Sequence, residues 1–526
     1  MFKHWPSAIL LGGLWLLCLT VPGTASFNED TQAPISESAV AKVGNCCTAL
    51  SLVLQNSVQY PGILPDDMYW SLQEAELHPS CVVTPSNRDE VSLAIQILHL
   101  GSKYFPDRCE FAVRSGGHTP WAGAANVEAG VVVDLQRLNQ VIISAVKTTV
   151  NVGPGNRWGD VYNVLDPQGL AVTGGRLATV GVGGLVTGGG FSHFSPRYGL
   201  VNTTQHRIIE CGKFACDTVD NFEVVLASGQ IVNANARSNS DLWRALRGGS
   251  NNFGIVTAFT MRSFSQSDYW GGSIISDSTH MDKLFRAFES FTSSPTYDPY
   301  ATNILNLIWQ PATDSWITLQ SPSYTKKQVG PPALEKFTSV PSFVNTMRIS
   351  NSSDFSKELY SAPGQRQLMI TATFQISMAM LRAIHTIELQ TVPALRNASG
   401  LQWSLALQPQ PAIISQASAR AGGNSLGLDD SDGDLFNVLL TTTWVDKKDD
   451  PLVESQSRRM FEQFQAEAER LGVTNPYVYL NYAASWQDPI RGYGDVNKAF
   501  LQDVSRKYDP YGLFQKAAPG GFKLFN

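Results

Sequence analysis

The stretch VRSGGHTPWAG, residues 113–123, sets the reading of the whole chain. A strand-like run, Phe111-Ala-Val113, leads into two adjacent glycines, and an imidazole follows at once as His118, with Trp121 close behind. Glycine lets the backbone approach a ligand closely and turn its N–H groups on one anion. Two further blocks repeat the device: GGRLATVGVGGLVTGGGFS at 174–192 and GGSNNFGIVT at 248–257. One such loop serves a turn. Three of them, each beside an apolar run, point to one large phosphate-bearing cofactor. Gly181-Val-Gly183-Gly184 does not make the G-x-G-x-x-G unit of a nicotinamide fold, and no Gly-Lys-Ser/Thr closes a Walker loop. The pattern therefore predicts a dinucleotide held without a Rossmann unit.

The remaining composition narrows the class. A chain of 526 residues with 43% hydrophobic and 16% charged residues can bury a large core in two or three domains. Net charge is -6, and no basic run offers itself to nucleic acid or anionic lipid. At the start, Lys3, the apolar run from Ile9 to Val21 and the small residues Gly23-Thr-Ala25 read as a secretory signal peptide over 1–25, too short an apolar run to span a bilayer. The sequons at Asn202, Asn351 and Asn397 agree with export as glycosylation sites. Cys46, Cys47, Cys81 and Cys109 flank the first glycine loop, and at least one disulfide is expected among them with the pairing left open. The predicted location is extracellular or in the secretory lumen. No His, Cys or Asp cluster has metal-ligand spacing, and no G-x-S-x-G elbow is present.

Periodicity supplies a coarse outline. Ser86-Asn-Arg-Asp89 reads as a capping box before a helix, VSLAIQILHL. VVVDL and TVNVGPG read as strands, and NFEVVLASGQIVNA as a hairpin turning at Ser228-Gly229. From about residue 266 glycine thins out. Helical stretches such as MDKLFRAFESF then alternate with strand-like NILNLIWQ and LFNVLLTTTWV, which predicts a separate α+β region to about 470. The tail, 471–526, contains YVYLNYA, read as a strand.

VRSGGHTPWAG, the TVGVGGLVTGGG block, the DNFEVVLASGQIVNA hairpin, GGSNNFGIVT and the tail YLNYAASWQDPI with KYDPYGLFQ together resemble the berberine bridge enzyme-like branch of the FAD-linked oxidases, in its fungal secreted form. The resemblance covers nearly the whole mature chain. It implies an α+β fold with a two-subdomain PCMH-type FAD-binding domain over 26–265 (core about 75–265), a substrate domain of antiparallel sheet and helices over 266–470, and a segment 471–526 returning to the FAD domain. It implies FAD bonded through the ring of His118 to the flavin 8α-methyl. The implied cofactor contacts are Arg114, Ser115, Gly116, Gly117 and His118; Thr179, Val180, Gly181, Gly183, Gly184, Gly189 and Gly190; Gly254, Ile255 and Val256; and Asn481.

Two departures stand out. Where many relatives carry a second flavin link through a cysteine, this chain has Leu177, so a single covalent link is expected. Val180 matches the position that governs dioxygen access, and its small side chain resembles the oxidases. Between Tyr198-Gly199 and Phe214-Ala-Cys-Asp217 lies a polar insert, residues 200–213, read either as a surface loop or as a retained intron.

Tyr479-Leu-Asn481-Tyr482 matches the family's substrate-bordering stretch. Strand alternation would send Tyr479 and Asn481 to one face and Tyr482 to the other. Tyr482 or Tyr479 is expected to act as base, and a phenol needs a positive or hydrogen-bonding neighbour for that task. His193 follows the glycine run and is read as a loop histidine. The expected function is a secreted FAD-dependent oxidase of a small organic molecule, such as a fungal secondary metabolite, with dioxygen as acceptor and hydrogen peroxide as product. Alternatives are an oligosaccharide oxidase and a flavin-binding protein or cyclase without net redox turnover.

Overall fold

A computed structural model describes residues 45–60, 68–197, 214–358, 363–420 and 422–525. The signal-like N-terminus, the 200–213 insert with Cys211, and the Asn202 sequon lie outside the described residues. Four sheets organise the rest.

The first sheet runs in the order Val58–Gln59, Cys81–Val83, Val131–Asp134, Phe111–Arg114. Its last three strands are parallel, and the helix Arg88–Tyr104 lies in the chain between Cys81–Val83 and Phe111–Arg114. That helix buries Val91, Ala94, Ile95, Ile97 and Leu98, the apolar face its periodicity predicts. Its cap sits one residue later than expected: the Asn87 side chain accepts from the N–H groups of Asp89 and Glu90, while Glu90 reaches back to the Ser86 N–H at 2.9 Å. Asn87 takes the cap because its short side chain satisfies two first-turn N–H groups at once, while Glu90 binds Ser86 ahead of the helix. Two disulfides, Cys46–Cys109 and Cys47–Cys81, tie the preceding helix Cys46–Val53 to this sheet, and Cys216 is a buried free thiol.

In the second sheet the long strand Ile255–Ser265 pairs antiparallel with Thr149–Val152, Val219–Val225 and Leu170–Val172. Val219–Val225 and Ile231–Asn235 form the hairpin predicted at Ser228-Gly229.

The third sheet is small and contains Tyr269–Gly271. The fourth has eight antiparallel strands, with Ser315–Gln320, Leu305–Gln310, Gln402–Gln410, Leu435–Trp444 and Arg366–Gln375 adjacent in that order. Alternation divides its two faces. Leu405, Leu407, Val438 and Leu440 pack in one core with residues of the helices Met281–Thr292, Met378–Thr391 and Asp450–Leu471. The intervening Gln402, Ser404, Ala406, Gln408, Leu439 and Thr441 line a cavity. From the tail, Thr474–Asn475 adds a strand to this sheet. Tyr477 and Tyr479 then join the core that holds Phe253 and Phe259.

The tail corrects one expectation. Residues 477–483 form no strand, and Leu480–Tyr482 is a single three-ten turn. Side chains therefore do not alternate there: Tyr479, Asn481 and Tyr482 all line the same cavity. The Tyr482 N–H bonds back to the Tyr479 carbonyl at 3.0 Å, a local pairing that a run of β-formers does not announce.

Candidate active site

Arg114 ends the strand Phe111–Arg114 and turns inward. Its Nη1 donates to Asp134 Oδ2 at 2.7 Å and its Nε to the Met68 carbonyl at 3.2 Å. Both side chains are buried, and burial pushes the Asp134 carboxyl up even though Arg114 opposes it. Arg114 is thus a buried strut beneath the loop and does not line the cavity.

The next residues bring the glycine blocks together. Ser115 Oγ donates to the Pro154 carbonyl at 2.6 Å and accepts from the Gly183 N–H at 3.1 Å. A Cβ on Gly116 would sit 2.5 Å from Gly181 Cα, so these two backbones touch only because both residues are glycine. Gly117 has φ +63°, the left-handed conformation that turns the chain into His118.

His118 stands on the cavity wall. Its ring lies 4.3 Å from that of Trp70 at an interplanar angle of 12°, and its Nε2 is 3.2 Å from Thr179 Oγ1. Burial, with Arg157 adding repulsion, pushes the imidazole down to about 4, so it is neutral at ordinary pH. Trp70 was not legible in the sequence, since it precedes the first glycine block by more than forty positions in an unremarked loop.

Across the cavity, Arg176 Nη2 donates to the Tyr482 phenol oxygen at 2.6 Å and to Gln408 Oε1 at 2.7 Å. Tyr479 is placed differently. Its oxygen accepts from the Phe191 N–H at 3.1 Å and from Asn481 Nδ2 at 2.9 Å, and burial drives its phenol upward. Asn481 Nδ2 also donates to the Leu185 carbonyl at 3.0 Å. Arg176 is the positive neighbour that a tyrosine base requires. It sits in the second glycine block, one residue before Leu177, where a single charge among glycines has no spacing that marks it as functional.

Of the remaining expected residues, Gly117, Val180, Gly181, Gly183, Gly184, Gly254, Ile255 and Val256 line the cavity together with Leu177. Thr179 does not line it but touches His118. Gly189 and Gly190 do not line it either. They hold φ +113° and +91°, and a Cβ on Gly190 would meet Ala215 Cβ at 2.6 Å, so they serve the turn into Phe191. His193 is likewise off the wall, and burial beside Arg176 pushes it down to about 3. Asn351 caps the turn Ser352–Phe355 by accepting from the Asp354 N–H, and Asn397 is exposed. No group of three metal-ligating side chains occurs among the described residues.

The cavity has a volume of about 680 Å³. Trp70 Nε1 and Asn251 Oδ1, both of wall residues, are buried without a protein partner. A slot edged by contacting glycine backbones, with a donor and an acceptor unspent, fits a dinucleotide such as FAD.

Comparison with known proteins agrees. Residues 79–235 match the FAD binding domain family. The chain is 36% identical over 488 residues to an FAD-dependent monooxygenase of Emericella nidulans, covering 91% of this chain and 98% of that protein. It is 35% identical to an FAD-dependent monooxygenase of Cercospora beticola, covering 96% of each. In fold it is similar to 6-hydroxy-D-nicotine oxidase from Arthrobacter nicotinovorans (TM-score 0.70, 18% identity, 87% of this chain and 96% of that one). It is also similar to a carbohydrate oxidase from Microdochium nivale (TM-score 0.69, 19% identity, 91% and 100%).

Proposed function

We propose a function from one premise: the chain belongs to the berberine bridge enzyme-like family of FAD-linked oxidoreductases. It is an FAD-dependent oxidoreductase with a PCMH-type fold, and its α+β architecture carries antiparallel sheets. Our reading is a secreted oxidase of a small organic substrate in fungal secondary metabolism, with dioxygen as acceptor and hydrogen peroxide as product. The observation that carries it is the Arg176–Tyr482 pair, set in the same cavity as His118 and the contacting glycine loops.

FAD bound in this cavity supplies a two-electron acceptor that returns its electrons to dioxygen. His118 would tether it, and Leu177 in place of a cysteine leaves that link single. Tyr482 would take the substrate proton. Arg176 donates to its oxygen and fixes it on the cavity wall, whereas Tyr479, buried and accepting two hydrogen bonds, holds Asn481 and Phe191 in position. The sheet face presents Asn306, Gln402, Ser404, Gln408 and Thr441 among Ile304, Ile308, Met369 and Leu439, a wall suited to an apolar body with a few hydroxyl or carbonyl groups. That row of amides and hydroxyls also favours the second reading, an oligosaccharide oxidase. We extend the proposal to a division at 265/266 and 470/471, to export behind a signal at 1–25, and to glycosylation at Asn202, Asn351 and Asn397. The disulfides are compatible with export.

A panel of polyketide alcohols, phenols and oligosaccharides, assayed for peroxide under labelled dioxygen, tests the reading. Peroxide equal to substrate consumed, without label in the organic product, is expected from the first or last compounds. Label entering the product would make the protein a monooxygenase, and no turnover with any flavin reductant would leave a binding protein.

A further inference from the structure

The imidazole of His118 is held from two sides. Trp70 lies flat against it, with ring centroids 4.3 Å apart and the planes 12° from parallel. Thr179 Oγ1 stands 3.2 Å from Nε2. Trp70 is itself fixed by its backbone: its N–H donates to the Gly117 carbonyl at 2.9 Å, and its carbonyl accepts from the Gly364 N–H at 3.3 Å. The indole is 5% exposed, and its Nε1 has no protein partner. The indole presents its face to the imidazole. Near-parallel rings leave the imidazole little freedom to rotate about its bond to Cβ.

We infer that Trp70 and Thr179 are positioning residues for flavin attachment at His118, the indole face fixing the plane of the imidazole and the threonine hydroxyl engaging Nε2. The inference rests on the tether in the proposed function. Attachment forms one bond between an imidazole nitrogen and the 8α-methyl carbon. It breaks one methyl C–H bond and the imidazole N–H bond, and dioxygen takes the two hydrogens with their electrons as hydrogen peroxide. A neutral imidazole supplies the lone pair, and what the clamp supplies is direction. A side chain able to swing through its rotamers meets the methyl carbon in a small fraction of its orientations, and holding one orientation raises that fraction.

The test follows covalent flavin per chain by fluorescence in denaturing gels at successive times after FAD is added to freshly purified protein. Total flavin by visible absorbance and the melting transition are read on the same samples. Trp70→Phe keeps an aromatic face and is expected to attach at the unmodified rate. Trp70→Leu and Thr179→Val are expected to attach about fivefold to tenfold more slowly per bound flavin, with any change in flavin binding or packing read separately from the absorbance and the melting transition. Trp70→Met fills similar space without a ring plane and repeats the leucine test should that variant not fold. A leucine or methionine variant that attaches at the unmodified rate overturns the role of Trp70. A phenylalanine variant as slow as leucine overturns the stacking account in favour of the indole N–H. Normal attachment in Thr179→Val overturns the role of the hydroxyl. Unmodified protein that binds flavin without ever attaching it fails at the tether itself, a result the absorbance channel separates from the others.

Discussion

Arg176 donates to Tyr482 through 2.6 Å, and no carboxylate among the described residues forms an ion pair with this arginine. The other charged wall residue, Glu358, is paired with Arg348 at 2.6 Å. The guanidinium is thus the hydrogen-bond donor that orients the Tyr482 oxygen at the cavity wall. Tyr482→Phe is expected to lower kcat/KM by about 10²–10⁴ with flavin content unchanged. Arg176→Gln should cost roughly tenfold to a hundredfold, the worth of one hydrogen bond to a charged group. Tyr479→Phe should instead cost stability, about 1–3 kcal/mol, because the Phe191 N–H and Asn481 amide lose their acceptor. Steady-state kinetics beside melting separate the two tyrosines, and full activity in Tyr482→Phe would remove it as the base.

The fold was legible wherever local chemistry and tertiary packing agree. Helix Arg88–Tyr104 and the hairpin around Gly229 follow directly from apolar spacing and turn glycine. The tail failed for the opposite reason. YVYLNYA is rich in β-formers, yet Leu480–Tyr482 turns because Tyr479 and Asn481 are tied to Phe191 and Leu185, nearly 300 positions away. The site shows the same division. Glycine contacts such as Gly116 against Gly181 leave a trace in the sequence because only glycine fits. Trp70 against His118 leaves none, since a tryptophan in a loop looks the same whether it stacks or not. Gly189 and Gly190 hold positive φ in the turn into Phe191, a use of glycine that the sequence does not distinguish from a cofactor contact.

Val180 borders the cavity between Leu177 and Gly181. If its small side chain is what admits dioxygen, Val180→Leu crowds that approach at a cost of about 1–3 kcal/mol, or roughly tenfold and more in the dioxygen half-reaction. Reduction by substrate should change little. Stopped-flow measurement of both halves checks this. Equal slowing of the two would assign Val180 to general packing.

The two disulfides join residues 63 and 34 positions apart and fasten the helix Cys46–Val53 beside the first sheet. Each is expected to contribute about 2–5 kcal/mol, so Cys47→Ala with Cys81→Ala should lower the melting temperature clearly. Cys216, buried and with its thiol pushed up by burial, should react with alkylating reagent only after unfolding. Prompt labelling of the native protein at Cys216 would contradict this placement.

Burial lowers His118 from the ordinary 6.5 to about 4. In flavin-free protein the unfolded chain therefore takes up a proton first, and stability falls as pH drops from 6.5 toward 4. Above that window the folded imidazole keeps its lone pair. The rate of flavin attachment should accordingly be flat from about pH 6 upward and decline only toward 4. A midpoint near 6.5 would mean that the imidazole is not shielded in the way the Trp70 stack and its burial require.

The most direct test of the account is peptide mapping of the acid-denatured protein by mass spectrometry. We expect the peptide containing His118 to carry the mass of FAD less two hydrogens, with the peptide containing Leu177 unmodified. A colourless precipitate, with flavin released to the supernatant and the His118 peptide at its unmodified mass, would contradict the tether on which this reading of the cavity depends.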